Sequence, residues 1–97
     1  MFELLWTNEA EAAYNLLKKD ASQKKRYEAV KKTLNSLATN PRHNSLRCHP
    51  YKSLIGPNKE TVFEAYAEQN TPAAYRVFWY YGPTRGMITI VAITPHP

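Results

Sequence analysis

One charged side chain, Arg76, lies within the most aromatic stretch of the chain, AYRVFWYY at residues 74–81. An arginine guanidinium keeps its charge and can fork onto two oxygens of a phosphate, while neighbouring aromatic rings can stack on a base. The same arginine could instead form a structural ion pair across the strands with Glu64 or Glu68. The residue types therefore leave a phosphate-binding role and a structural role open for Arg76.

Few other side chains offer metal or nucleophilic chemistry. The three histidines, His43, His49 and His96, and the single cysteine, Cys48, match no zinc-site spacing. The chain has three glycines and no glycine-rich phosphate loop, and Asp20 is its only aspartate, so neither a phosphate loop nor a Ser-His-Asp site is indicated. We therefore expect a protein that uses no metal and no cofactor.

Strand-like runs must position Arg76. Residues 61–67, 74–81 and 87–94 are rich in β-branched and aromatic residues and are separated by turn residues, which predicts an antiparallel meander. Because side chains alternate along a strand, Arg76, Phe78 and Tyr80 share one face, and a more apolar set occupies the other. We expect helices to cover the more apolar face and the Arg76 face to remain half-open.

The N-terminal part of the chain predicts a short strand followed by a helix. Residues 2–6 are apolar and favour a strand at the edge of the sheet. Asn8 can cap the first helix, with Glu11 reaching back in a capping box, and apolar residues at helical spacing follow as far as about Lys19.

A second helix and a long connection come next. Asp20 or Ser22 can cap this helix, which should end near Thr39 because the residue before a proline disfavours helix. The short link between the helices predicts an antiparallel αα-hairpin. Residues 40–58 contain prolines and a glycine and predict a loop. Its apolar residues are expected to anchor it to the core: Leu46, Leu54 and Ile55.

The whole chain predicts a single α+β domain over residues 1–97, with the order β-α-α-β-β-β and the hairpin on one face of the meander. Its net charge of +5 predicts a polyanionic or acidic partner. No 18-residue apolar run and no signal-peptide pattern is present, so we expect no membrane association. A single cysteine is typical of a reducing cytoplasm.

The predicted element order resembles the RelE/ParE toxin superfamily, the toxin halves of bacterial toxin–antitoxin pairs. The local matches are FEAY at residues 63–66, YRVFW at residues 75–79 and ITIVAI at residues 88–93. The helical hairpin and the Asn40-Pro41 pair that closes it are also similar to the family. The resemblance covers nearly the whole chain and implies a RelE-like fold.

The resemblance implies a metal-independent endoribonuclease that cleaves messenger RNA on the ribosome, where the ribose 2′-hydroxyl attacks the adjacent phosphate. Arg76 stands at the position of the family's arginine, which stabilises the charge that builds on that phosphate. His96 stands near the position of a C-terminal histidine that protonates the leaving oxygen, and histidine is suited to acid–base work near neutral pH. Further residues are predicted to bind RNA: His49, Lys52, Tyr80 and Arg85.

This chain departs from the family pattern beside His96, where Pro95 and Pro97 replace a tyrosine or a second basic residue. Two other functions therefore stay open. One is a ParE-like inhibitor of DNA gyrase, and the other is a non-catalytic basic module that binds an antitoxin or RNA. Each implies a cytoplasmic bacterial protein with a cognate antitoxin as its partner, and the two toxic functions imply growth inhibition when that antitoxin is absent.

Overall fold

The computed structural model describes residues 1–96, so Pro97, which the sequence places beside His96, lies outside the described residues. A short strand precedes two helices, and four further strands follow. The helices are joined by a 3₁₀ turn at Ala21–Gln23, and a second 3₁₀ turn occupies Asn44–Leu46. The elements are β1 (Glu3–Trp6), α1 (Asn8–Lys19), α2 (Lys24–Thr39), β2 (His49–Ile55), β3 (Thr61–Tyr66), β4 (Tyr75–Tyr81) and β5 (Met87–Pro95).

The strands form one sheet in the order β1-β5-β4-β3-β2. Strand β1 runs parallel to β5, and every other neighbouring pair is antiparallel. The α+β class, the helical hairpin, the edge position of β1 and the meander of β3, β4 and β5 are confirmed. Within residues 1–96, neither helix combines the length and the apolarity that crossing a membrane requires.

The main core lies between the helices and one face of the sheet. Trp79 and Val77 on β4 are buried there against Leu34 and Leu37 of α2, so the helices cover the more apolar face of β4 as predicted. Burying a large aliphatic or aromatic side chain contributes about 1.5–3 kcal/mol, so this packing holds the hairpin on the sheet.

Strand β2 corrects the prediction of a loop over residues 40–58. Residues 49–55 pair with β3 at the edge of the sheet, where Pro50 is tolerated because an edge strand leaves some amides unpaired. Most side chains of β2 are exposed, so its sequence lacks the apolar alternation that marks a half-buried strand. Leu46 is buried as expected, but Leu54 and Ile55 are 38% and 69% exposed and do not anchor this segment.

The Arg76 face of β4 is not half-open, which corrects a second prediction. Arg76, Phe78 and Tyr80 are 8%, 1% and 8% exposed. Phe78 and Tyr80 form a second, smaller core with Val62, and Tyr51 of β2 packs its ring 4.9 Å from that of Phe78. The strand that the sequence does not reveal therefore supplies a ring that covers this face.

Thr7, rather than Asn8, caps α1 and ties it to the sheet. The Thr7 hydroxyl accepts a hydrogen bond of 3.1 Å from the Ala10 amide and donates one of 2.7 Å to the Val91 carbonyl on β5. Asp20 accepts from the Ser22 amide and starts the 3₁₀ turn before α2, so it caps that turn and not the helix itself. One hydroxyl thus fixes both the start of α1 and its position on β5.

Replacing Thr7 with alanine is expected to lower the free energy of unfolding by about 1–2 kcal/mol, because an N-cap is lost and the Val91 carbonyl loses its donor. Urea denaturation followed by far-UV circular dichroism measures this loss. Thr7→Ser keeps the hydroxyl and serves as the control, with most of the stability retained. Equal losses in both variants would show that the methyl group of Thr7, and not its hydroxyl, stabilises the fold.

Candidate functional site

A buried carboxylate, Glu64, lies at the centre of a cluster of basic side chains. Glu64 is on β3, is 1% exposed, and has His49 and Phe78 as its register partners on β2 and β4. Removing a charge from water is costly unless counter-charges and hydrogen bonds replace the solvent. His49 Nε2 lies 2.8 Å from Oε1, His96 Nδ1 lies 2.7 Å from Oε2, and Arg76 Nε lies 3.6 Å from Oε2. Strands β2, β3, β4 and the end of β5 each contribute to this cluster.

Arg76 is fixed from several sides. Its guanidinium carbon lies 3.8 Å from the ring centre of Tyr66, its cross-strand partner on β3. Nη1 donates to the carbonyl oxygen of Glu68 at 2.5 Å and to that of Tyr75 at 3.3 Å. Nε is buried and has no hydrogen-bond partner, because the nearest oxygen of Glu64 lies too far away. The ion pair with Glu64 that the sequence left open is therefore present, and it is a loose one.

Glu68, the other candidate partner of Arg76, is engaged elsewhere. Its carboxylate accepts from Arg26 Nε at 2.8 Å and from the Tyr75 amide at 2.9 Å. Arg26 also lies over the Tyr75 ring, at 4.5 Å from its centre. Only the backbone carbonyl of Glu68 reaches Arg76, so Glu64 is the sole carboxylate paired with Arg76 within residues 1–96.

His96 is held on the site by the end of β5. Thr94 is the register partner of Arg76, and the His96 amide donates to the Ala74 carbonyl at 2.8 Å. The His96 side chain is 49% exposed, with Nδ1 on Glu64. Its Nε2 makes no hydrogen bond within residues 1–96. A half-exposed imidazole with one nitrogen on a carboxylate and the other free has the geometry of an oriented acid–base group.

His49 is bound at both ring nitrogens. Nε2 faces Glu64, and Nδ1 lies 3.2 Å from the Arg47 carbonyl oxygen. Both ring nitrogens of His49 are therefore occupied by oxygen partners, which leaves neither of them free for proton transfer.

The structure separates the other residues that the sequence assigned to RNA binding. Tyr80 is buried in the second core. Arg85 is exposed in the turn between β4 and β5, at the opposite end of that hairpin from the Arg76–Thr94 pair. Lys52 is exposed on β2, the strand that begins with His49. The structure thus brings together Arg76, His96 and His49, with Lys52 on an adjoining strand.

The sequence does not assign a functional role to three residues of the site. It names Glu64 only as a possible ion-pair partner of Arg76, although a glutamate between Val62 and Tyr66 on one face of an apolar strand signals a buried charge. Tyr66 shares that face and stacks on Arg76. Arg47, whose guanidinium carbon lies 5.7 Å from the Tyr66 ring centre, follows a 3₁₀ turn and carries no pattern that predicts its place.

The remaining chemistry of the site is limited. Burial raises the pKa of the Cys48 thiol, and the neighbouring Trp79 indole offsets part of that rise. A thiol with a raised pKa is a poor nucleophile at neutral pH. Among residues 1–96, no group of three or more His, Cys, Asp or Glu side chains is arranged to hold a metal ion. What the cluster offers is a fixed guanidinium beside an oriented imidazole.

The fold is similar to solved structures of toxins. The chain matches a YoeB/ParE toxin from Agrobacterium tumefaciens with a TM-score of 0.72 and 12% identity over 99% of this chain and 100% of that chain. It matches a YoeB-YefM toxin–antitoxin complex from Staphylococcus aureus with a TM-score of 0.68 and 12% identity over 100% and 99% of the two chains. An archaeal RelE-RelB complex from Pyrococcus horikoshii gives a TM-score of 0.64 and 14% identity over 97% and 93%.

No family model and no curated protein matches the sequence. The structural likeness nevertheless spans nearly the full length of this chain and of each of these neighbours. The RelE/ParE-like toxin fold that the sequence resemblance implied is therefore confirmed.

Proposed function

We propose that this protein is the toxin of a toxin–antitoxin pair and acts as a metal-independent endoribonuclease on messenger RNA at the ribosome. The observation that carries the proposal is the His96–Glu64–Arg76 cluster, in which an imidazole with a free Nε2 stands beside a fixed guanidinium. The fold supports the toxin assignment, because the similar structures are of toxins.

In the proposed reaction the ribose 2′-hydroxyl attacks the adjacent phosphorus and the bond from phosphorus to the 5′ oxygen breaks. The doubly protonated form of His96 gives that oxygen the proton on Nε2 and is left as a neutral ring with its proton on Nδ1, facing Glu64. The products are a 2′,3′-cyclic phosphate and a 5′-hydroxyl. Negative charge builds on the phosphate oxygens during attack, and the Arg76 guanidinium stabilises it. Nη1 of Arg76 is bound to backbone carbonyls and Nε is buried, which leaves Nη2 as the nitrogen available to the phosphate.

Glu64 is a positioning residue in this reaction. It accepts from His96 Nδ1 and so fixes the ring orientation that presents Nε2 to the substrate. Its other oxygen lies 2.8 Å from His49 Nε2, and the side chain is only 1% exposed, so Glu64 is too buried to act as a base on the substrate. Within residues 1–96 the cluster thus offers one group for proton transfer, and the proton of the attacking hydroxyl passes to water.

The proposed biology needs a partner that restrains the toxin. Two of the similar structures are complexes with the antitoxins YefM and RelB. An antitoxin for this chain would be acidic where the two proteins meet, because the chain carries a net charge of +5. A protein that acts on translating ribosomes works in the cytoplasm.

The proposal is tested by incubating the purified protein with ribosomes that translate a defined messenger RNA. The control is the same RNA without ribosomes, and EDTA is added to this control only. We expect cleavage by the wild type and a loss of about 100-fold or more in His96→Gln, because general acid catalysis contributes that much. Glu3→Gln, at an exposed position of β1, should cleave as the wild type does. Intact messenger RNA together with inhibited DNA gyrase would contradict the proposal and support the ParE-like alternative.

A further inference from the structure

A second concave site lies at the end of β3. It is a cavity of about 320 Å³ between α2, the 3₁₀ turn at Asn44–Leu46 and the last residues of β3 with those that follow. Its volume is within the range of ligand-binding sites, which is roughly 300–1,000 Å³. Small and aliphatic side chains form part of the wall, and the polar side chains used below are Lys32, Ser45 and Gln69.

The cavity adjoins Arg76 through the residues that line it. Tyr66 lies on its wall, and the Arg76 guanidinium carbon lies 3.8 Å from the centre of the Tyr66 ring. Gln69 also lies on the wall, and its chain neighbour Glu68 accepts a hydrogen bond from Arg76 Nη1 through the backbone carbonyl. One short segment thus borders the cavity and fixes Arg76, so an occupant of the cavity lies beside the proposed cleavage site.

The side-chain amide of Gln69 has a defined orientation. Its Oε1 accepts a hydrogen bond of 2.9 Å from Arg47 Nη1, and a guanidinium can only donate. Arg47 is itself held near the Tyr66 ring, with its guanidinium carbon 5.7 Å from the ring centre. The Nε2 of Gln69 makes no hydrogen bond within residues 1–96, so Gln69 presents two unpaired N–H donors at the cavity.

Lys32 adds a cationic donor, and Ser45 adds an acceptor. Lys32 on α2 is exposed and forms no salt bridge within residues 1–96, and no aspartate or glutamate of that range lines the cavity. His43 Nδ1 accepts from the Ser45 amide at 3.1 Å, so the Ser45 hydroxyl, 2.7 Å from the same nitrogen, donates to it. The Ser45 oxygen therefore remains able to accept.

This pattern suits a keto nucleobase better than an amino one. Guanine and uracil carry an exocyclic carbonyl oxygen beside a ring N–H, whereas adenine and cytosine carry an exocyclic amino group beside an unprotonated ring nitrogen. A carbonyl oxygen can accept from Gln69 Nε2 and Lys32 Nζ, and the adjacent ring N–H can donate to Ser45 Oγ. An amino group in place of the carbonyl would face two donors and would leave N–H groups without acceptors.

We propose that this cavity binds the keto base, guanine or uracil, of a nucleotide that flanks the scissile phosphate, and that Gln69 selects this base. The inference rests on the proposed function, because it assigns a base preference to the same reaction. The exocyclic oxygen lies on Gln69 and Lys32, and the neighbouring phosphate lies on Arg76. Gln69 is thus a specificity-determining residue that takes no part in proton transfer.

The first test uses translating ribosomes and messenger RNAs that differ in one base beside the scissile phosphate, with each side varied in turn. On one side we expect guanine to be cleaved about tenfold or more faster than adenine, or uracil than cytosine, which is the discrimination that one good pair of base contacts provides. Comparing bases of equal ring size separates the keto group from size and identifies which keto base is taken. Equal cleavage within both pairs would overturn the proposal.

The matched variants are Gln69→Glu and Gln23→Glu, each of which replaces an amide whose oxygen accepts from an arginine. Gln69→Glu removes the N–H donors but keeps the pairing with Arg47, so it should lower the preference to less than about threefold. Gln23 lies in the 3₁₀ turn before α2, and Gln23→Glu should keep the preference. The ribosome is the same in every assay, so a preference that survives Gln69→Glu comes from the ribosome and contradicts the role of Gln69.

The second test measures binding without cleavage. Trinucleotides with 2′-O-methyl riboses lack the attacking hydroxyl, so they bind without reacting. The side-chain amide signals of Gln69 in the ¹⁵N spectrum are identified by their loss in Gln69→Glu. They should shift with a central guanine or uracil and not with the amino base of the same ring size, and equal shifts with all four bases would overturn the proposal.

The two tests together separate this proposal from the ribonuclease. A protein whose Gln69 signals respond to the keto bases, but which leaves messenger RNA intact on ribosomes, contradicts only the ribonuclease. A protein that cleaves messenger RNA equally with Gln69 or Glu at this position, and at all four bases, contradicts only the role of the cavity.

Discussion

Replacing Arg76 with alanine is expected to lower the rate of RNA cleavage by about 100- to 1,000-fold, the loss typical when one preorganised donor to a developing oxyanion is removed. Arg76 is held by the Tyr66 ring and by two backbone carbonyls before any substrate arrives, so its charge needs no reorganisation during the reaction. The measurement is single-turnover cleavage of messenger RNA on ribosomes, together with growth of cells after induction.

The control for this prediction is Arg76→Lys. Lysine keeps the charge near Glu64 but cannot stack a planar head group on Tyr66, so we expect a folded protein with partial activity. Thermal unfolding of both variants separates a lost reaction from a lost fold. Full cleavage by a folded Arg76→Ala variant would reduce Arg76 to a structural partner of Glu64.

Among the variants described, replacing Glu64 with alanine is expected to lower the free energy of unfolding most, by about 3–5 kcal/mol. The reason is that the buried guanidinium of Arg76 loses its counter-charge. Glu64 is 1% exposed and contacts His49, His96 and Arg76 at once. Glu64→Gln should lose less, since its amide oxygen can still accept from one imidazole, and it should also lose activity, because it can no longer orient both histidines. Chemical denaturation measures the stabilities.

A matched change at an exposed carboxylate isolates the effect of burial. Glu3→Gln on β1 should alter the free energy of unfolding by no more than about 0.5 kcal/mol. The orienting role of Glu64 has its own readout, which is the ¹⁵N spectrum of the His96 imidazole. In the wild type the proton of the neutral ring should reside on Nδ1, and in Glu64→Ala that preference should weaken. An unchanged spectrum would show that Glu64 stabilises the fold without orienting His96.

The sequence revealed the elements whose residues repeat with a clear period. Strands β3, β4 and β5 carry dense β-branched and aromatic residues, and α1 and α2 carry apolar residues at helical spacing. The sequence pattern does not predict strand β2, because β2 is an exposed edge strand that contains Pro50. Its absence from the prediction also made the Arg76 face look open, since Tyr51 of β2 covers Phe78.

The candidate site could be predicted only in part, because it depends on register. Arg76 is predictable as a charge within an aromatic strand, whereas His96 is predicted only through the family resemblance. That His96 and His49 converge on Glu64 follows from pairings between residues distant in the chain, such as Arg76 with Thr94 and His49 with Glu64. Strand pairing of this kind is set by tertiary packing and leaves no local pattern.

The chemistry of the cleaved ends tests the central proposal most directly. Messenger RNA is cleaved on translating ribosomes by the wild type and by His96→Gln, and the new 3′ ends are identified by mass spectrometry. The proposed function predicts 2′,3′-cyclic phosphate ends with the wild type and their near absence with His96→Gln. The control is ribosome-free RNA treated with EDTA, which should yield far fewer such ends. Ends that carry a 3′-hydroxyl, or equal cleavage by both proteins, would contradict the assignment of His96 as the proton donor beside Arg76.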